Sequence, residues 1–278
     1  MILKSFSKIN LSLSINKKLK IGLHDIQSYF CLIDLYDVIK VDKIEGHRDI
    51  IKFKGKFSKY VNKKKNTISD TLSILRKHHV IRNHYSVIVH KKIPVFAGLG
   101  GGTSNAAYLT KHLSKKKINK VLFKNLEKKI GSDFKLFFYD QGLLRSIKKV
   151  EKFKKKHKLN FLLVYPNVKS STKHVYSKVI KYSSKSKISL SKINNKKKFI
   201  NLLLNTNNDL QLIVENKHPK IRELVKEINQ KEGCYFSRMS GSGSVCYGLF
   251  ESQKSANVAL KKIKSKYSKF WFSVAKTI

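Results

Sequence analysis

The residues best suited to chemistry lie in one glycine-rich stretch, Pro94–Ala107, with the sequence PVFAGLGGGTSNAA. Glycines leave backbone N–H groups uncovered by any Cβ, so these amides can converge on a bulky anion such as a phosphate chain. The following Thr103–Ala107 is typical of a helix start, with hydroxyl and amide side chains at the cap. A helix N-terminus adds partial positive charge and free N–H donors. The stretch is therefore predicted to bind phosphate.

The spacing of these glycines separates the loop from the two commonest phosphate loops and leaves a tight structural turn as the alternative. The loop does not end in the Gly-Lys-Ser/Thr of a Walker A motif, and its glycines do not have the dinucleotide-binding spacing. A turn needs one or two glycines, whereas four occur here, and each would cost about 1 kcal/mol inside a helix or strand. Phosphate binding is therefore favoured.

Periodic segments on both sides must position the loop. Tyr85–His90 alternates as a strand directly before it. The first strand alternates the apolar residues of Ile9–Ile15 with polar ones, which places Lys8 and Asn10 together on a face directed away from the core. Further helices are predicted after the loop, over 66–77, and over 119–130, where Gly131 is a normal terminating residue.

A polar, charged segment at 148–158 is the best candidate for a domain boundary and predicts two domains, 1–150 and 151–278. The second domain is predicted to contain strands at 161–165, 245–250 and 270–274, with helices from 208, at 219–228 and at 252–263. A second glycine-hydroxyl turn, Ser240–Gly243, precedes one of these strands. The Ser/Lys-rich region 178–198 is predicted to be a mobile surface excursion.

Composition places the chain among globular proteins. It has 278 residues, 41% hydrophobic and 10% aromatic, and no apolar run approaches the roughly 20 residues of a membrane span. The N-terminus enters a patterned strand at once, so we expect no targeting segment and no membrane association. Cys31, Cys234 and Cys246 are odd in number and lack paired metal-ligand spacing, which favours a reduced, cytoplasmic location.

The formal net charge of +43 has two interpretations. Clustered basic residues can neutralise the phosphates of a nucleic acid. However, arginine, whose bidentate fork reads bases and clamps phosphates, occurs at only six positions. Lysine instead co-occurs with abundant isoleucine and asparagine, as compositional drift would produce. We therefore expect no nucleic-acid partner, although the positive field would attract an anionic substrate.

Several motifs in order along the chain resemble those of the GHMP small-molecule kinase superfamily, and most closely its 4-diphosphocytidyl-2-C-methyl-D-erythritol kinase family. The resemblance covers nearly the whole chain. It is carried by Ser7–Leu11, Gly22–His24, Leu35–Asp37, Gly98–Ala107, Gly131–Asp133, Asn208–Asp209 and Ser240–Gly243. It implies an α+β fold of two domains, the N-terminal one ribosomal-protein-S5-like and the C-terminal one ferredoxin-like.

The resemblance implies an ATP-dependent kinase that phosphorylates the 2-hydroxyl of a cytidyl diphosphate substrate. Asp133 would be the general base, and Lys8 would hold it ionised and stabilise charge during transfer. From the residues alone, Asp133 could equally cap a helix, and Lys8 could be one solvated lysine among 60 basic residues. Their joint placement in the family order favours catalysis.

The resemblance also implies the nucleotide site. The triphosphate would be wrapped by the glycine loop, with Mg²⁺ bridging its β- and γ-oxygens. Either Thr103 or Ser104 could touch the metal or a phosphate, and the sequence does not choose between them. The residues expected at ATP are Asn66, Lys91, Pro94, Val95, Phe96, Ala97, Gly98, Leu99, Gly100, Gly101, Gly102, Thr103 and Ser104.

For the cytidyl substrate, the resemblance implies that His24 contacts the pyrimidine and that Tyr176 stacks on it. Asn10 is expected to orient the hydroxyl. The remaining expected substrate residues are Ser240, Gly241 and Ser242. The sequence does not identify the metal ligands. It predicts a monomer or a weak homodimer.

Three residues depart from the family pattern. Leu23 replaces a tyrosine that would complete the aromatic sandwich, at a cost of about 1 kcal/mol or more of nucleotide affinity. Phe96 stands where glycine is frequent, and we expect it to narrow the nucleotide pocket. Lys135 stands where proline usually follows the catalytic Asp, and we expect a looser turn. The alternatives are another GHMP kinase, acting on homoserine, mevalonate or a sugar, and a basic nucleic-acid-binding protein.

Overall fold

The computed structural model describes residues 1–20, 22–115 and 117–278. In these residues it combines helices with strands arranged in two sheets, which is an α+β fold. The strands are β1 (Ile2–Asn10), β2 (Ser14–Lys18), β3 (His24–Ile44), β4 (Ile50–Lys54), β5 (His84–His90), β6 (Gln141–Ser146), β7 (Lys149–Lys152), β8 (Asn160–Tyr165), β9 (Cys234–Met239), β10 (Cys246–Phe250) and β11 (Trp271–Lys276). The helices are α1 (Thr67–Lys77), α2 (Gly101–Leu113), α3 (Lys120–Ile130), α4 (Thr172–Ser177), α5 (Lys196–Leu204), α6 (Gln211–Lys217), α7 (Pro219–Asn229) and α8 (Gln253–Lys266). Short 3₁₀ helices occupy Ser58–Tyr60, Ser132–Phe138 and Leu190–Lys192.

The chain divides into two compact units, neither of which is continuous in sequence. The first unit contains Met1–Lys8, Leu35–Val95 and Gly100–Phe138, and the second contains Ile9–Asp34, Phe96–Leu99 and Tyr139–Ile278. A linear division at residue 150 is therefore not the division of the structure. The chain passes from one unit to the other within β1, within β3, in the glycine loop and after Phe138. No change of composition marks these points. The charged 148–158 segment instead forms β7 and the connection to β8.

In the first unit, β5 lies between the second half of β3, which is antiparallel to it, and β4, which is parallel. Helix α1 contacts α2 and α3, and α2 contacts the 3₁₀ helix Ser132–Phe138. The predicted apolar face of α1 is buried. Asn66 and Asn119 cap α1 and α3 with their side chains, so both helices begin within a residue of their predicted starts.

In the second unit, β8 and β10 are the central strands of an antiparallel sheet ordered β11-β8-β10-β9. Phe161, Leu162 and Leu163 of β8 are fully buried, so both faces of this strand are covered. Helices α7 and α8 pack on the sheet. The first half of β3 pairs with β2 and β6. The predicted helices and strands beyond residue 160 are all present.

The first strand differs from its prediction. The alternation over Ile9–Ile15 is interrupted after Asn10, and the polar face is buried as well as the apolar one: Lys8, Asn10 and Ser12 are only 3–4% exposed. Within the second unit, the Asn10 amide donates to Ser28 Oγ at 2.8 Å, and that hydroxyl donates to Ser12 O at 2.6 Å. The Asn10 and Ser28 side chains therefore hydrogen-bond within the protein instead of facing solvent.

The 178–198 segment is attached to the second unit at several points. The Ser183 amide donates to Ile15 O at 2.7 Å, the Ser186 amide donates to Gln27 Oε1 at 2.7 Å, and Lys185 pairs with Asp25 at 2.6 Å. Helix α5 begins at residue 196, inside the predicted excursion. The local composition could not show these contacts, because their partners lie far away in sequence. In the described ranges, no helix has both the length and the apolar character needed to cross a membrane.

Candidate active site

Lys8 and Asp133, 125 residues apart in sequence, form an ion pair in the first unit. Lys8 Nζ lies 3.0 Å from Asp133 Oδ2; the lysine side chain is 3% exposed and the aspartate side chain 34%. Lys8 stands near the end of β1, and Asp133 lies inside the 3₁₀ helix that begins at Ser132 after the Gly131 stop. Lys8 is therefore not a solvated surface lysine. The pair presents an accessible carboxylate backed by a buried ammonium group.

The start of α2 lies against Lys8. Gly100 precedes the helix with φ of +68°, in the left-handed region that favours glycine. A Cβ at Gly100 would lie 2.8 Å from Phe137 Cζ and 3.3 Å from Lys8 Cε. The first N–H groups of this 13-residue helix have no intrahelical acceptors, and they carry the positive end of the helix dipole. Unpaired amides and the Lys8–Asp133 pair are thus neighbours.

The helix begins earlier than predicted, and the two hydroxyl residues differ in their burial. Because α2 starts at Gly101, Thr103 and Ser104 lie within its first turn and do not cap it. Ser104 is fully buried: its hydroxyl donates to Phe6 O at 2.5 Å and lies 2.7 Å from Ser5 Oγ. Thr103 is half-buried. Of the two, only Thr103 retains a solvent-accessible surface for a ligand.

Lys91 forms a second buried ion pair, with Asp37 of β3, beneath the same helix start. The two side chains are 3% and 0% exposed. Asp37 Oδ1 also accepts hydrogen bonds from the amides of Lys92 and Ile93, at 2.7 and 2.9 Å. Lys91 Nζ would lie 3.3 Å from a Cβ on Gly101. The lysine therefore places positive charge under the first turn of α2, with its ammonium already paired to a carboxylate.

Asn66 has a structural role in this fold. Its side-chain oxygen accepts from the amides of Ile68 and Ser69, at 3.1 and 3.0 Å, and its amide nitrogen donates to Lys63 O at 3.2 Å. Both ends of the side chain are therefore engaged at the start of α1. Its predicted place near the nucleotide stays a prediction.

Lys135, which stands where proline is usual, has an ion-pair partner on α3. Its ammonium lies 2.7 Å from Glu127 Oε1 on α3, and the two side chains are 11% and 25% exposed. This ion pair ties the 3₁₀ helix Ser132–Phe138 to α3. The expectation of a looser turn did not take Glu127 into account, because this residue lies eight positions upstream in sequence. The chain turns after α3 ends at Ile130, and Lys135 can therefore reach Glu127.

The first half of the glycine loop lies in the second unit, where it interlocks with the Ser240–Gly243 turn. Gly98 has φ of +75°, and a Cβ there would lie 2.1 Å from Ser240 O and 3.1 Å from Gly243 N. Ser240 Oγ donates to Gly98 O at 3.2 Å, and the Val245 amide donates to Ala97 O at 3.1 Å. The two glycine motifs thus depend on one another for their shape.

Phe96 adopts φ of +59° and its side chain is 51% exposed. The left-handed backbone explains why glycine suits this position, since an L residue with a Cβ is strained there by about 1–2 kcal/mol. A narrowed nucleotide pocket stays a prediction.

Asn10, Ser240 and Ser242 each form hydrogen bonds within the second unit. The Asn10 backbone amide donates to Ser240 Oγ at 3.2 Å, and Ser242 Oγ lies 2.8 Å from Thr172 Oγ1. The side-chain amide of Asn208 donates to Met239 O and Gly241 O, both at 2.8 Å. Asn208 therefore holds Gly241 in place, which explains the asparagine of the Asn208–Asp209 motif.

His24 stands among aromatic rings in the second unit. Its ring centroid lies 5.2 Å from that of Tyr176 and 6.5 Å from that of Tyr182, the latter pair stacked. Burial, together with the nearby Lys18 ammonium, lowers the pKa of His24, so its imidazole is neutral at pH 7. Leu23 is 46% exposed and Tyr182 47%. A second exposed aromatic ring, that of Tyr182, thus lies near His24.

Comparisons with known proteins agree with this arrangement. Residues 190–269 match the GHMP kinases C-terminal family model. A 4-diphosphocytidyl-2-C-methyl-D-erythritol kinase from Pelagibacter ubique is 37% identical over 281 residues, covering 99% of this chain and 98% of the relative. A relative of the same name from a Wolbachia of Brugia malayi is 33% identical, with the same coverage.

This chain belongs to the 4-diphosphocytidyl-2-C-methyl-D-erythritol kinase family. Among solved structures, a 4-(cytidine 5'-diphospho)-2C-methyl-D-erythritol kinase superposes with a TM-score of 0.76 at 20% identity, covering 99% of both chains. A homoserine kinase from Cytophaga hutchinsonii gives 0.65 at 17% identity, covering 98% of this chain and 94% of the other. At these identities the likeness shows the shared GHMP kinase fold, and the sequence relatives narrow it to this kinase family.

Sequence reasoning missed three residues that contact the predicted site residues or the turn that carries Asp133. Asp37 was noted only as part of a motif, although a buried position after an apolar run indicates a counter-ion. Tyr182 lies in a Ser/Lys-rich segment that gave no strand or helix pattern. Glu127 occupies an ordinary helical position, and nothing in the sequence links it to Lys135.

Proposed function

We propose that this enzyme transfers the γ-phosphoryl group of ATP to the 2-hydroxyl of 4-diphosphocytidyl-2-C-methyl-D-erythritol, a step of non-mevalonate isoprenoid biosynthesis. The observation that supports the chemistry is the Lys8–Asp133 pair, 3.0 Å apart, with Lys8 against Gly100 at the start of α2. A base, a buried cation and a cluster of phosphate-directed amides are the parts that phosphoryl transfer needs.

Asp133 accepts the proton of the attacking hydroxyl in this proposal. Its carboxylate is accessible enough to receive a substrate O–H within hydrogen-bonding distance, whereas Lys8 behind it is shielded from water. The ammonium group favours the ionised carboxylate and offsets negative charge on the oxygen as the proton leaves. Most of the rate enhancement then comes from alignment and charge stabilisation, because this transfer demands little covalent chemistry of the protein.

The start of α2 is proposed to bind the phosphates. The amides of Gly101, Gly102 and Thr103 are the free N–H groups of its first turn, and the Thr103 hydroxyl is the available side-chain donor. Lys91 beneath Gly101 adds positive charge from the protein side. Gly98 and Phe96 hold the other part of the loop in its conformation. The nucleotide thus meets backbone donors instead of the chain's many exposed lysines.

Mg²⁺ is proposed to accompany the nucleotide. In the described part of the chain, no group of three His, Cys, Asp or Glu side chains could form a metal cage. This donor set suits a magnesium ion that keeps phosphate and water ligands and takes at most one or two from protein, with the Thr103 hydroxyl as the candidate here. When bound, the ion would neutralise charge on the β- and γ-phosphate oxygens.

The cytidine end is proposed to bind at His24. The neutral imidazole offers one donor and one acceptor to a pyrimidine edge, while Tyr176 and Tyr182 offer ring faces for stacking. Ser240, Gly241 and Ser242 are proposed to contribute further polar contacts to the substrate. The cytoplasmic location and the monomeric or weakly dimeric state stay predictions.

The test is acceptor selectivity of the purified protein. ADP release is followed with Mg²⁺-ATP and one of four acceptors: the cytidyl diphosphate alcohol, homoserine, mevalonate or galactose. ³¹P NMR then locates the new phosphate monoester. We expect turnover with the cytidyl substrate alone and phosphate on its 2-hydroxyl. Turnover only with another alcohol would overturn the substrate assignment, and salt-sensitive binding to random DNA without kinase activity would overturn the enzyme assignment.

A further inference from the structure

A groove in the second unit lies outside the residues assigned above to catalysis. It is lined by residues of 169–181, which include α4, and of 209–218, which include α6, and its volume is about 740 Å³. This volume lies within the range of about 300–1,000 Å³ that is usual for small-molecule sites. We refer to it as the α4–α6 groove.

Hydrogen bonds hold one wall of the α4–α6 groove in place. The Ser170 hydroxyl donates to Ser242 O at 2.5 Å, and Thr172 Oγ1 lies 2.8 Å from Ser242 Oγ. Opposite, Asp209 Oδ2 accepts from the Ile15 amide and from the Ser183 hydroxyl, both at 2.7 Å. The groove is therefore formed in advance of any ligand, which lowers the entropic cost of binding.

The floor and one side of the groove are apolar. Val175 and Val214 are buried at its base. Leu212 is 61% exposed and Ile180 is 85% exposed, and both side chains line the same groove. Isolated exposed apolar residues are common, but two that share one cavity with a buried apolar floor mark a surface suited to an apolar ligand group.

The polar lining is strongly cationic. Four lysines contribute to it, against Asp209 as the single acidic lining residue, whose carboxylate is engaged as described above. Lys217 Nζ lies 3.4 Å from His174 Nε2, so two nitrogen-bearing groups meet at the rim. Burial and the adjacent Lys217 ammonium both lower the pKa of His218. The lysine ammonium groups of the lining would attract an anion to this rim.

We propose that the α4–α6 groove is a second ligand site for an amphiphilic anion, a phosphate or diphosphate joined to a short hydrocarbon tail. The headgroup lies at the lysine rim near Lys217 and His174, and the tail lies along Leu212 and Ile180 over the valine floor. This site is independent of the phosphoryl-transfer residues and does not rest on the identity of the kinase substrate.

The test is calorimetric titration of the full chain with n-hexyl phosphate, at about 0.15 M ionic strength to screen unspecific charge effects. Saturating ADP and CDP are present to block the nucleotide and cytidyl sites. Inorganic phosphate and hexanol serve as probes of headgroup and tail alone. We expect each to bind at least about tenfold more weakly than hexyl phosphate, because each lacks one half of the recognition.

Matched surface variants separate the groove from the general positive charge. Lys217→Gln and Leu212→Gln should each weaken hexyl phosphate binding about fivefold or more. Lys220→Gln and Leu204→Gln make the same changes at exposed residues outside the groove lining, and both should stay within about twofold of the parent. Thermal unfolding of all four variants checks that the fold is intact.

Three results would overturn the proposal. The first is equal affinity for hexyl phosphate and inorganic phosphate, which would reduce the effect to charge alone. The second is a loss in Lys220→Gln as large as that in Lys217→Gln. The third is the absence of saturable hexyl phosphate binding to an active enzyme, which leaves the proposed kinase function untouched.

Discussion

Substitution of Gly98 by alanine tests whether the two glycine motifs of the second unit depend on one another. The new Cβ would lie 2.1 Å from Ser240 O, whereas an ordinary contact begins at 3.4 Å. Backbone lies on both sides of the clash, so no side-chain rotation relieves it. The positive φ of 75° adds strain for any residue with a Cβ.

The expected loss of stability follows from these terms. The left-handed backbone contributes about 1–2 kcal/mol. Separating the loop from the turn also weakens the hydrogen bonds from Val245 N to Ala97 O and from Ser240 Oγ to Gly98 O, each worth about 0.5–1.5 kcal/mol. Gly98→Ala should therefore destabilise the fold by about 3 kcal/mol, which lowers the unfolding temperature by roughly 6–12 °C.

Gly102 provides the matched control in the same loop. A Cβ there would meet only the Thr67 side chain, at 3.6–3.7 Å, and its φ is not positive. Gly102→Ala should leave stability unchanged or raise it by up to about 1 kcal/mol, since alanine is the better helix former. Urea unfolding of both variants measures the difference. A Gly98→Ala protein within about 0.5 kcal/mol of the parent would refute the interlock.

Three further predictions concern the substrate, the pH dependence and the turn that carries the base. Tyr176→Ala should raise KM for the cytidyl substrate about fivefold or more without changing KM for ATP, because a stacking face is lost. Although burial opposes it, the Lys185 ammonium and a backbone amide lower the pKa of the Asp25 carboxyl. The stabilisation of the fold by this pair is thus complete above the ordinary carboxyl pKa of about 4 and is lost as the pH falls below it. In Asp25→Asn, the free energy of unfolding should therefore depend less on pH on the acid side. Glu127→Gln should lower kcat several-fold with KM for ATP unchanged, since Lys135 loses the carboxylate that holds the 3₁₀ helix on α3.

Each of these three predictions can be contradicted by a specific result, and two of them have a control variant. Tyr235, 40% exposed elsewhere in the second unit, gives the control for the ring: equal KM effects in Tyr235→Ala and Tyr176→Ala would remove the stacking role. An unchanged acid unfolding midpoint in Asp25→Asn would contradict the linkage. Glu223→Gln changes an exposed glutamate, and a kcat loss equal to that of Glu127→Gln would show a general charge effect.

Local structure was largely predictable from the sequence because its signals are local. The apolar spacing of α1 and α3, their asparagine caps and the Gly131 stop lie within single segments, and each helix begins or ends within a residue of its prediction. The strand before the glycine loop was equally clear. The start of α2 was not, because glycines carry no helical pattern and the first two helix residues, Gly101 and Gly102, were assigned to the loop.

Contacts over long sequence separations were not predictable from residue types. The pairing of Lys91 with Asp37 and the interlock of Gly98 with Ser240 join residues 54 and 142 positions apart. Lys8 and Asp133 were paired in advance only through the order of the family motifs. The inward orientation of the Ser104 side chain was not predictable for the same reason, because its partners Ser5 and Phe6 lie almost a hundred residues upstream.

The most direct test of the central claim is the kinetic effect of Asp133→Asn together with its effect on nucleotide binding. Asp140→Asn is the matched control, because Asp140 is a carboxylate seven residues further along the chain whose ion pair with Lys156 is half-exposed on both sides. The account predicts that Asp133→Asn lowers kcat about a hundredfold or more while the Kd for ATP stays within about twofold, and that Asp140→Asn keeps near-parental values. An Asp133→Asn enzyme that turns over within a few-fold of the parent would show that Asp133 does not accept the proton.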